Sequence, residues 1–464
     1  MRRLSNTPYD QLEIGMSAET TRLCVADDLY VFAHASGNLN PMHLPRYDGD
    51  GDGVPEAIAP SMWVGALISS VLGNQLPGPG TLYRSQSFQF LDRAHAGDEL
   101  RVGVRLVEKL PERVARFETY VARADGTRVV EGVAEVIAPA SALSIDIDET
   151  PGITVQRHVH FDRLLEEAEP LDPIPTAVAA PETPNALGGA LLGAEHTLIT
   201  PILIGDQAKI EAAARELGKP LGGYEILHEP DHAASAALAV KLAREGRAEA
   251  LMKGHLHTDT LLGAVVKREG GLRTARRLSH VFVMDVPGLP HLLLVSDAAI
   301  NIAPDLEAKV DITQNAIDLA RALGVEQPKV GVLSAVETVN PKIPSTIDAA
   351  VLSKMAERGQ IKGGLVDGPL AMDNAMDVEA ATTKGIKSLV AGRADILIVP
   401  NLEAGNMLAK ELIFVAHAEG GGLVLGARKP IILTSRADDD KARLASCAVA
   451  ALYARWMARG GAGA

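Results

Sequence analysis

Cysteine and aromatic residues are scarce in this chain of 464 residues. The two cysteines, Cys24 and Cys447, are far apart in sequence, so we expect no disulfide framework and a reducing, cytoplasmic setting. Aromatic residues make up 3% of the chain, whereas 47% of it is hydrophobic, so the cores should consist of Ala, Val, Leu and Ile. The length allows about three domain-sized units.

Long apolar runs and an excess of positive charge are also missing. No run reaches the roughly 18 residues that a membrane span requires, and the first fifteen residues lack the apolar segment of a signal peptide. The formal net charge is -14. This balance argues against nucleic acid and against a membrane surface as partners. An anionic substrate must therefore meet a local basic pocket.

The first 138 residues have the pattern of an α+β domain. They contain one apolar helix pattern, at 61–73, and then runs of alternating polarity at 100–110, 116–125 and 127–137. Asp125-Gly126 is a good hairpin turn between two of these runs. We therefore predict a small antiparallel sheet with one long helix over residues 1–138.

Residues 139–185 are rich in proline and acidic residues, and we predict a linker that contains a short helix at 160–169. After it, strand and helix patterns alternate over residues 186–458, and residues 459–464 should form a frayed tail. The strands are predicted at 197–205, 223–228, 248–254, 280–286, 291–297, 329–335, 394–400 and 430–435. The helices between them are predicted at 206–218, 232–245, 307–323, 342–358, 375–386 and 402–417.

This alternation predicts an α/β fold with a mostly parallel sheet. Residues 186–458 are enough for one large domain or for two subdomains around a cleft, and we favour two subdomains. Ligands of such sheets bind outside the carboxyl ends of the strands.

The last strand-to-helix junction, TSRADDD (434–440), has the chemistry of an anion site. Ser435 supplies a hydroxyl and Arg436 a guanidinium, at a point where a helix presents free N–H groups and the positive end of its dipole. Together these groups can hold a phosphate and stabilise charge that develops beside it. The junction therefore predicts an enzyme that acts on a phosphate or an acyl phosphate.

The segment ASGNLNPMHL (35–44), with the helix and loop after it, resembles the hot-dog-fold, (R)-specific enoyl-CoA hydratases of the MaoC-like type. In that family an Asp activates water and a His delivers the proton. Here Asn38 stands at the Asp position, His43 is retained, and Ser61 replaces a glycine. Because an amide cannot take a proton from water near neutral pH, the resemblance implies a weakened hydratase or a domain that only binds acyl-CoA.

Six segments of the C-terminal half, in order, resemble the phosphate acetyl/butyryltransferase family, and the TSRAD form is nearer to its butyryl branch. These segments are 251–266, 276–287, 295–320, 366–377, 400–412 and 434–440. The resemblance implies that acyl-CoA and phosphate are substrates, that no cofactor is tightly bound, and that the acyl group passes directly to phosphate. It thus implies a bifunctional fusion.

The same resemblance implies roles for single residues. Ser435 would orient the carbonyl or thiol, and Arg436 would grip phosphate. Gly405 and Asn406 would let the chain approach the acyl phosphate closely. The acetyl branch has its base Asp near Ala442, whereas this chain offers Asp438, Asp439 and Asp440. Further binding candidates are Lys410, Arg277 and Thr258.

Three metal-like patterns are not interpreted as metal sites. HEPDH (228–232) has a proline inside its pattern, HLH (255–257) lies in a transferase motif, and DGDGDG (48–53) lacks the final calcium-binding glutamate. We expect a homo-oligomer. Two other functions stay open: a module that senses acyl-CoA and oligomerises without transferase activity, and an enzyme whose main activity is hydration.

Overall fold

A computed structural model describes residues 2–147, 155, 158–433 and 440–461. The chain divides into two units, Met1–Val155 and Gln156–Ala464, and each is described by itself. In the described part of the chain, no helix combines the length and apolar character needed to cross a membrane.

The first unit is an antiparallel sheet that packs against one apolar helix. Its strands are Arg2–Ser5 (β1), Ser17–Leu23 (β2), Leu82–Phe90 (β3), Glu99–Leu110 (β4), Val114–Arg123 (β5), Arg128–Ile137 (β6) and Ser144–Ile147 (β7), and its helices are Ala26–Ser36 (α1) and Ser61–Asn74 (α2). Five strands form one sheet in the order β2-β4-β5-β6-β3, with antiparallel neighbours throughout. β1 and β7 pair separately.

The core of this unit lies between α2 and the sheet. Val64, Ile68 and Val71 of α2 are buried together with residues of β4 and β5. Gly65 lets the ring of Phe88 on β3 approach α2 closely, because a Cβ there would lie 2.8 Å from that ring. The predicted helix, the three predicted strands and the turn, where Gly126 has a φ of 89°, are confirmed.

The second unit contains one large sheet covered by helices on both faces. Its strands are Ile174–Ala179 (β8), Ile199–Gly205 (β9), Glu225–His228 (β10), Ala250–Lys253 (β11), Ser279–Asp285 (β12), Leu293–Ser296 (β13), Lys329–Leu333 (β14), Leu365–Leu370 (β15), Ile396–Ile398 (β16), Glu419–Leu425 (β17) and Ile431–Ile432 (β18). The helices are Val159–Ala168 (α3), Pro184–Glu195 (α4), Gln207–Leu217 (α5), His232–Arg244 (α6), Thr258–Val265 (α7), Leu306–Ala322 (α8), Pro344–Glu357 (α9), Met372–Met376 (α10), Val378–Thr383 (α11), Leu402–Phe414 (α12) and Asp440–Ala458 (α13).

The eleven strands follow the order β10-β9-β8-β11-β18-β17-β12-β13-β16-β14-β15. Seven of the ten neighbouring pairs are parallel, which confirms a mostly parallel sheet. The three antiparallel pairs lie together in the middle, where β17 and β12 are found. The sheet therefore consists of two parallel groups that run in opposite directions.

The predicted linker at 139–185 needs a correction. Residues 174–179 form β8, which lies inside the sheet between β9 and β11. The proline at 175 hid this strand in the sequence, although its carbonyl accepts a hydrogen bond from Glu249 N at 2.7 Å. The short helix at 160–169 is confirmed as α3.

Two other predictions differ from the structure. The predicted helix at 375–386 is two short helices, because the extended backbone of Asp377 interrupts it and its side chain caps the second one. The glycine-rich stretch 417–427, for which no strand is predicted, contains β17. There the absent side chain at Gly421 gives the room that α13 needs, since a Cβ would lie 3.0 Å from Ser446 N.

A buried carboxylate fixes the start of α3. Asp285, at the end of β12, is 1% exposed. Its Oδ2 accepts hydrogen bonds from His160 N at 2.7 Å and from Phe161 N at 2.9 Å. These are free N–H groups of the first helical turn, which an anion stabilises. Phe161 then places α3 against the core formed with α13.

We expect Asp285→Ala to lower the free energy of unfolding of the second unit by about 1–2 kcal/mol, because two buried N–H groups lose their acceptor. The chain has two tryptophans, one in each unit. In a Trp63→Phe background, Trp456 on α13 reports on the second unit alone, so urea unfolding is followed by its fluorescence. Asp285→Asn, which keeps an oxygen acceptor, should lose less. Equal stability of Asp285→Ala and the parent would contradict the assigned role.

Candidate functional site

The direction of the strands assigns the candidate residues to two edges of the large sheet. β8, β9, β10, β11 and β18 are parallel, and we call the edge at their carboxyl ends the first edge. β13, β14, β15 and β16 run the opposite way, and their carboxyl ends form the second edge. Loops at both edges follow strands and precede helices, which is where α/β proteins bind ligands.

At the second edge, the loop after β13 is folded around a carboxylate. Asp297 is 2% exposed. Its Oδ1 accepts hydrogen bonds from Ala299 N at 3.0 Å and Ile300 N at 3.1 Å. Its Oδ2 accepts from Asn301 N at 3.0 Å and Asn301 Nδ2 at 2.6 Å. Asn301 Nδ2 also donates to Leu278 O at 2.9 Å, which ties the loop to the start of β12.

Gly405 and Asn406 contact this same loop. Gly405 lies in the first turn of α12, and a Cβ there would be 2.7 Å from Val399 Cγ2 and 3.0 Å from Asp297 O. Asn406 Nδ2 donates to Ala298 O at 3.3 Å. The close approach that the structure records is thus between α12 and the loop after β13. The approach of these residues to an acyl phosphate stays a prediction.

A buried histidine lies beside the Asp297 carboxylate. His280 of β12 is 3% exposed, and its Nδ1 has no hydrogen-bond partner among the described residues. Burial lowers the pKa of His280 to about 4, although the negative charge of Asp297 opposes the shift. The ring is therefore neutral near pH 7. Asp297 and His280 were not predicted from the sequence. Their positions could have indicated them, because Asp297 directly follows the apolar strand β13 and His280 lies at the start of the apolar strand β12.

Arg277 stands two residues before β12 and lies next to the loop after β13. Its backbone N donates to Asp311 Oδ2 at 2.9 Å, and its side chain is exposed. Arg277 and Asn301 line a cleft of about 280 Å³ with residues 300–305 and Ala308. Among the predicted binding residues, the structure therefore brings together Arg277, Gly405 and Asn406. Lys410, one turn further along α12, is exposed, and its Nζ lies 6.0 Å from the centre of the Phe414 ring.

At the first edge, a nearly buried carboxylate connects three loops. Glu182, after β8, has a side chain that is 3% exposed. It accepts hydrogen bonds from Asp206 N at 3.0 Å and His232 Nε2 at 3.2 Å, and Lys209 Nζ lies 3.4 Å away. Burial raises the pKa of Glu182, but these donors and the Lys209 charge outweigh it, so the pKa lies below its ordinary value.

The zinc-like and paired histidines at this edge have other contacts. His228 accepts a hydrogen bond from Gln207 N at 3.2 Å, whereas His232 contacts Glu182, so the two rings of HEPDH do not share a helix face. The His255 ring lies edge-on to His232 at 6.4 Å. Thr258 is half-buried and begins α7 at this edge.

The residues of the last junction lie only in part within the described chain. Ser435, Arg436, Asp438 and Asp439 are outside the described residues. Asp440 begins α13; its side chain is 80% exposed, and Oδ1 is 3.2 Å from Arg443 Nη1. β18 and α13 place the two ends of the junction at the first edge, because Ile432 pairs with Met252 of β11.

In the first unit, Asn38 and His43 lie in the loop between α1 and α2. Asn38 is exposed, and its Oδ1 accepts a hydrogen bond from Asn40 N at 3.2 Å. His43 is half-buried, and its Nδ1 lies 2.9 Å from Ile58 O. Ser61, the first residue of α2, is exposed. The histidine is therefore held near the N-terminus of α2.

The acidic loop of this unit is tied by its own backbone. Carboxylate oxygens of Asp48, Asp50, Asp52 and Glu56 lie within 4.8 Å of one another. Asp48 accepts hydrogen bonds from Gly51 N at 2.6 Å and Gly53 N at 2.7 Å. These bonds hold the pKa of Asp48 below its usual value. The carboxylates are thus engaged within the loop, and the interpretation of the loop as a solvated insertion stays a prediction.

Known proteins resemble the two parts of the chain separately. The family model for phosphate acetyl/butaryl transferase matches residues 228–451. A phosphate acetyltransferase of Rhizobium meliloti is 62% identical over 294 residues, which are 63% of this chain and 93% of that protein. The crystal structure of a branched-chain phosphotransacylase from Enterococcus faecalis V583 has a TM-score of 0.54 at 32% identity, over 61% of this chain and 99% of that one.

An R-hydratase from Pseudomonas aeruginosa, solved in the unliganded form, is similar to the N-terminal region. It is 39% identical, covers 33% of this chain and 100% of its own, and has a TM-score of 0.32. The transferase relatives match over nearly their full length, at an identity far above what fold similarity alone gives. The chain therefore belongs to the phosphate acetyl/butyryl transferase family.

Proposed function

We propose that the second unit transfers an acyl group, acetyl or butyryl, between coenzyme A and inorganic phosphate. The observation that carries this proposal is the 62% identity to a phosphate acetyltransferase over 294 residues. The buried Asp297 loop supports it, because Gly405 and Asn406 of the transferase motif pack directly on that loop. Acyl-CoA and phosphate are then substrates, and no tightly bound cofactor takes part.

In the direction that makes acyl-CoA, a thiolate must form and attack the carbonyl carbon of the acyl phosphate, so that phosphate leaves. Asp438 or Asp440 accepts the thiol proton, which lowers the cost of forming the thiolate. Ser435 orients the carbonyl or thiol, and Arg436 holds the phosphate and stabilises its charge as the bond breaks. The transfer is direct, within one ternary complex.

In this proposal, the two strand groups act as two subdomains that the antiparallel strands β12 and β17 join, and loops of both groups form the cleft. Thr258 and the junction after β18 contribute from the first edge, and Arg277, Gly405 and Asn406 from the second. Lys410, exposed on α12, is a further candidate contact for the substrate.

Arg436→Ala should lower kcat/KM for CoA-dependent release of phosphate from an acyl phosphate by about 10²- to 10³-fold, since a charge-stabilising donor is lost. Acetyl phosphate and butyryl phosphate are compared in the same assay. Arg459→Ala, which removes the same group from an exposed position, serves as the control. Full activity of Arg436→Ala would contradict the role given to Arg436, whereas a parent chain that releases no phosphate would favour a module that senses acyl-CoA.

We also propose that the first unit binds acyl-CoA and retains a weak hydratase activity. Two features support this: an antiparallel sheet around one apolar helix, and His43 held near the start of that helix. Asn38 cannot serve as the base, because its amide does not take a proton from water near neutral pH. His43 is then the remaining group able to exchange a proton with the substrate.

Asn38→Asp should raise the rate of crotonyl-CoA hydration by about 10²- to 10⁴-fold, because a positioned general base is restored. Loss of the enoyl absorbance measures the rate. Asn38→Ala is the matched control, and His43→Ala in the Asn38→Asp background should remove the gain. If Asn38→Asp hydrates no faster than the parent, the missing base is not what limits this unit.

A second copy of the chain is the proposed partner of the first unit. β3 is an edge strand, and Leu82, Tyr83 and Phe90 on it are exposed. Tyr83 also lines an apolar surface with Phe88 and with Met62 and Ala66 of α2, and this surface lies beside the free edge of β3, which favours pairing with an identical strand.

Light scattering should give the mass of a dimer or a larger homo-oligomer. Replacing Tyr83 by Lys should reduce that mass, because a charge would then face the pairing surface. A chain of monomeric mass at micromolar concentration would contradict this part of the proposal.

A further inference from the structure

A buried arginine at the start of α13 leaves two of its nitrogens unused. Arg443 is the fourth residue of the helix, and its side chain is 5% exposed. Nη1 donates to Asp440 Oδ1 at 3.2 Å. Nε and Nη2 are buried and lack a partner among the residues that the structure describes. Because burial of a charged group without partners is costly, such nitrogens indicate a ligand.

The two unused nitrogens form one side of the guanidinium. Nη1 is the nitrogen on the same side as Cδ, so Nε–H and one N–H of Nη2 point in parallel away from it. Two parallel donors match two oxygens of a phosphate group. The side of the guanidinium that suits a bidentate oxyanion is therefore the side that the described residues leave without an acceptor.

The packing of α13 on α4 fixes the position of this guanidinium. A Cβ at Gly189 of α4 would lie 2.5 Å from Arg443 Cδ, so the arginine stem lies directly over that glycine. α4 follows β8 and α13 follows β18, so both helices begin at the first edge. Side chains of a helix lean toward its N-terminus, and the bond to Asp440 shows that Arg443 does so. The guanidinium therefore lies at the positive end of α13.

We propose that Arg443 binds the phosphoryl group of the transferase substrates, inorganic phosphate or acyl phosphate, through Nε and Nη2. The proposal rests on the transferase function proposed above. Asp440 accepts the hydrogen bond of Nη1, which leaves Nε and Nη2 for the phosphoryl oxygens. The Arg443 side chain is only 5% exposed, so its attraction for an oxyanion is less screened by salt than that of a surface arginine. In a chain of net charge -14, this supplies the local positive charge that an anionic substrate needs.

The test uses the full chain and inorganic phosphate at constant ionic strength. Arg443→Met keeps a similar stem and removes the charge, and Lys441→Met is the matched control, since it removes an exposed charge from the same helical turn. For Arg443→Met, we expect the Kd of phosphate, measured from thermal protection, and the KM for phosphate to rise more than tenfold. The KM for acyl-CoA should stay within about twofold. Lys441→Met should bind phosphate as the parent does.

The stability without phosphate separates a ligand site from a structural one. Loss of an unpaired buried charge should leave Arg443→Met as stable as the parent, or more stable. Lower stability with an unchanged phosphate Kd would overturn the proposal. If Arg443→Met does not fold, Arg443→Lys takes its place, because it keeps the charge but not the parallel donors. We then expect an intermediate rise in the Kd of phosphate. An unchanged Kd would again overturn the proposal.

The source of the phosphate is decided by a comparison of thioesters. The alternative ligand is the 3′-phosphate of coenzyme A. In that case the KM for acyl-CoA rises in Arg443→Met, whereas the KM for acyl-dephospho-CoA is the same in Arg443→Met and the parent. This result would overturn the proposed assignment. If neither protein transfers acyl groups, yet Arg443→Met has lost phosphate affinity, the proposed function fails while the phosphate site stands.

Discussion

The reversal of strand direction in the middle of the large sheet organises the second unit. Because β17 and β12 pair antiparallel with their neighbours, the strands on the two sides of them run in opposite directions. Each parallel group then has its own edge of loops and helix N-termini. The transferase motifs are distributed over both edges, so no single strand-to-helix junction contains the whole candidate site.

Buried carboxylates stabilise the loops that this arrangement creates. Asp285 binds the first N–H groups of α3, Asp297 binds four N–H groups of its own loop, and Glu182 binds the loop before α5 together with His232. Each carboxylate replaces water by several donors, which is the condition for burying a charge without loss of stability. Arg443 differs from them, because its donors outnumber the acceptors that the described residues offer. This contrast, rather than the charge itself, makes it a candidate for binding a ligand.

The two units would handle related molecules if both proposals hold. A hydratase-type domain and a phosphate acyltransferase both recognise a CoA thioester. In the first unit, the proposed hydratase activity is limited by one amide, Asn38. In the second unit, the residues proposed for catalysis, Ser435, Arg436 and Asp438 or Asp440, follow β18 in the chain. Loops at that position can change while the sheets stay the same.

The sequence by itself determined α2 and three strands of the antiparallel sheet, most strands and helices of the second unit, and the transferase motifs, because these depend on local periodicity and on residue order. It did not reveal β8, whose proline and short length resemble a connection, nor the place of β17 beside α13, which depends on contacts distant in sequence. The carboxylates of Asp297 and Glu182 and the unpaired side of Arg443 were likewise decided by the tertiary structure. The cause is physical: whether a charge is buried and which donors surround it depend on packing between elements far apart in the chain, which spacing along the sequence does not encode.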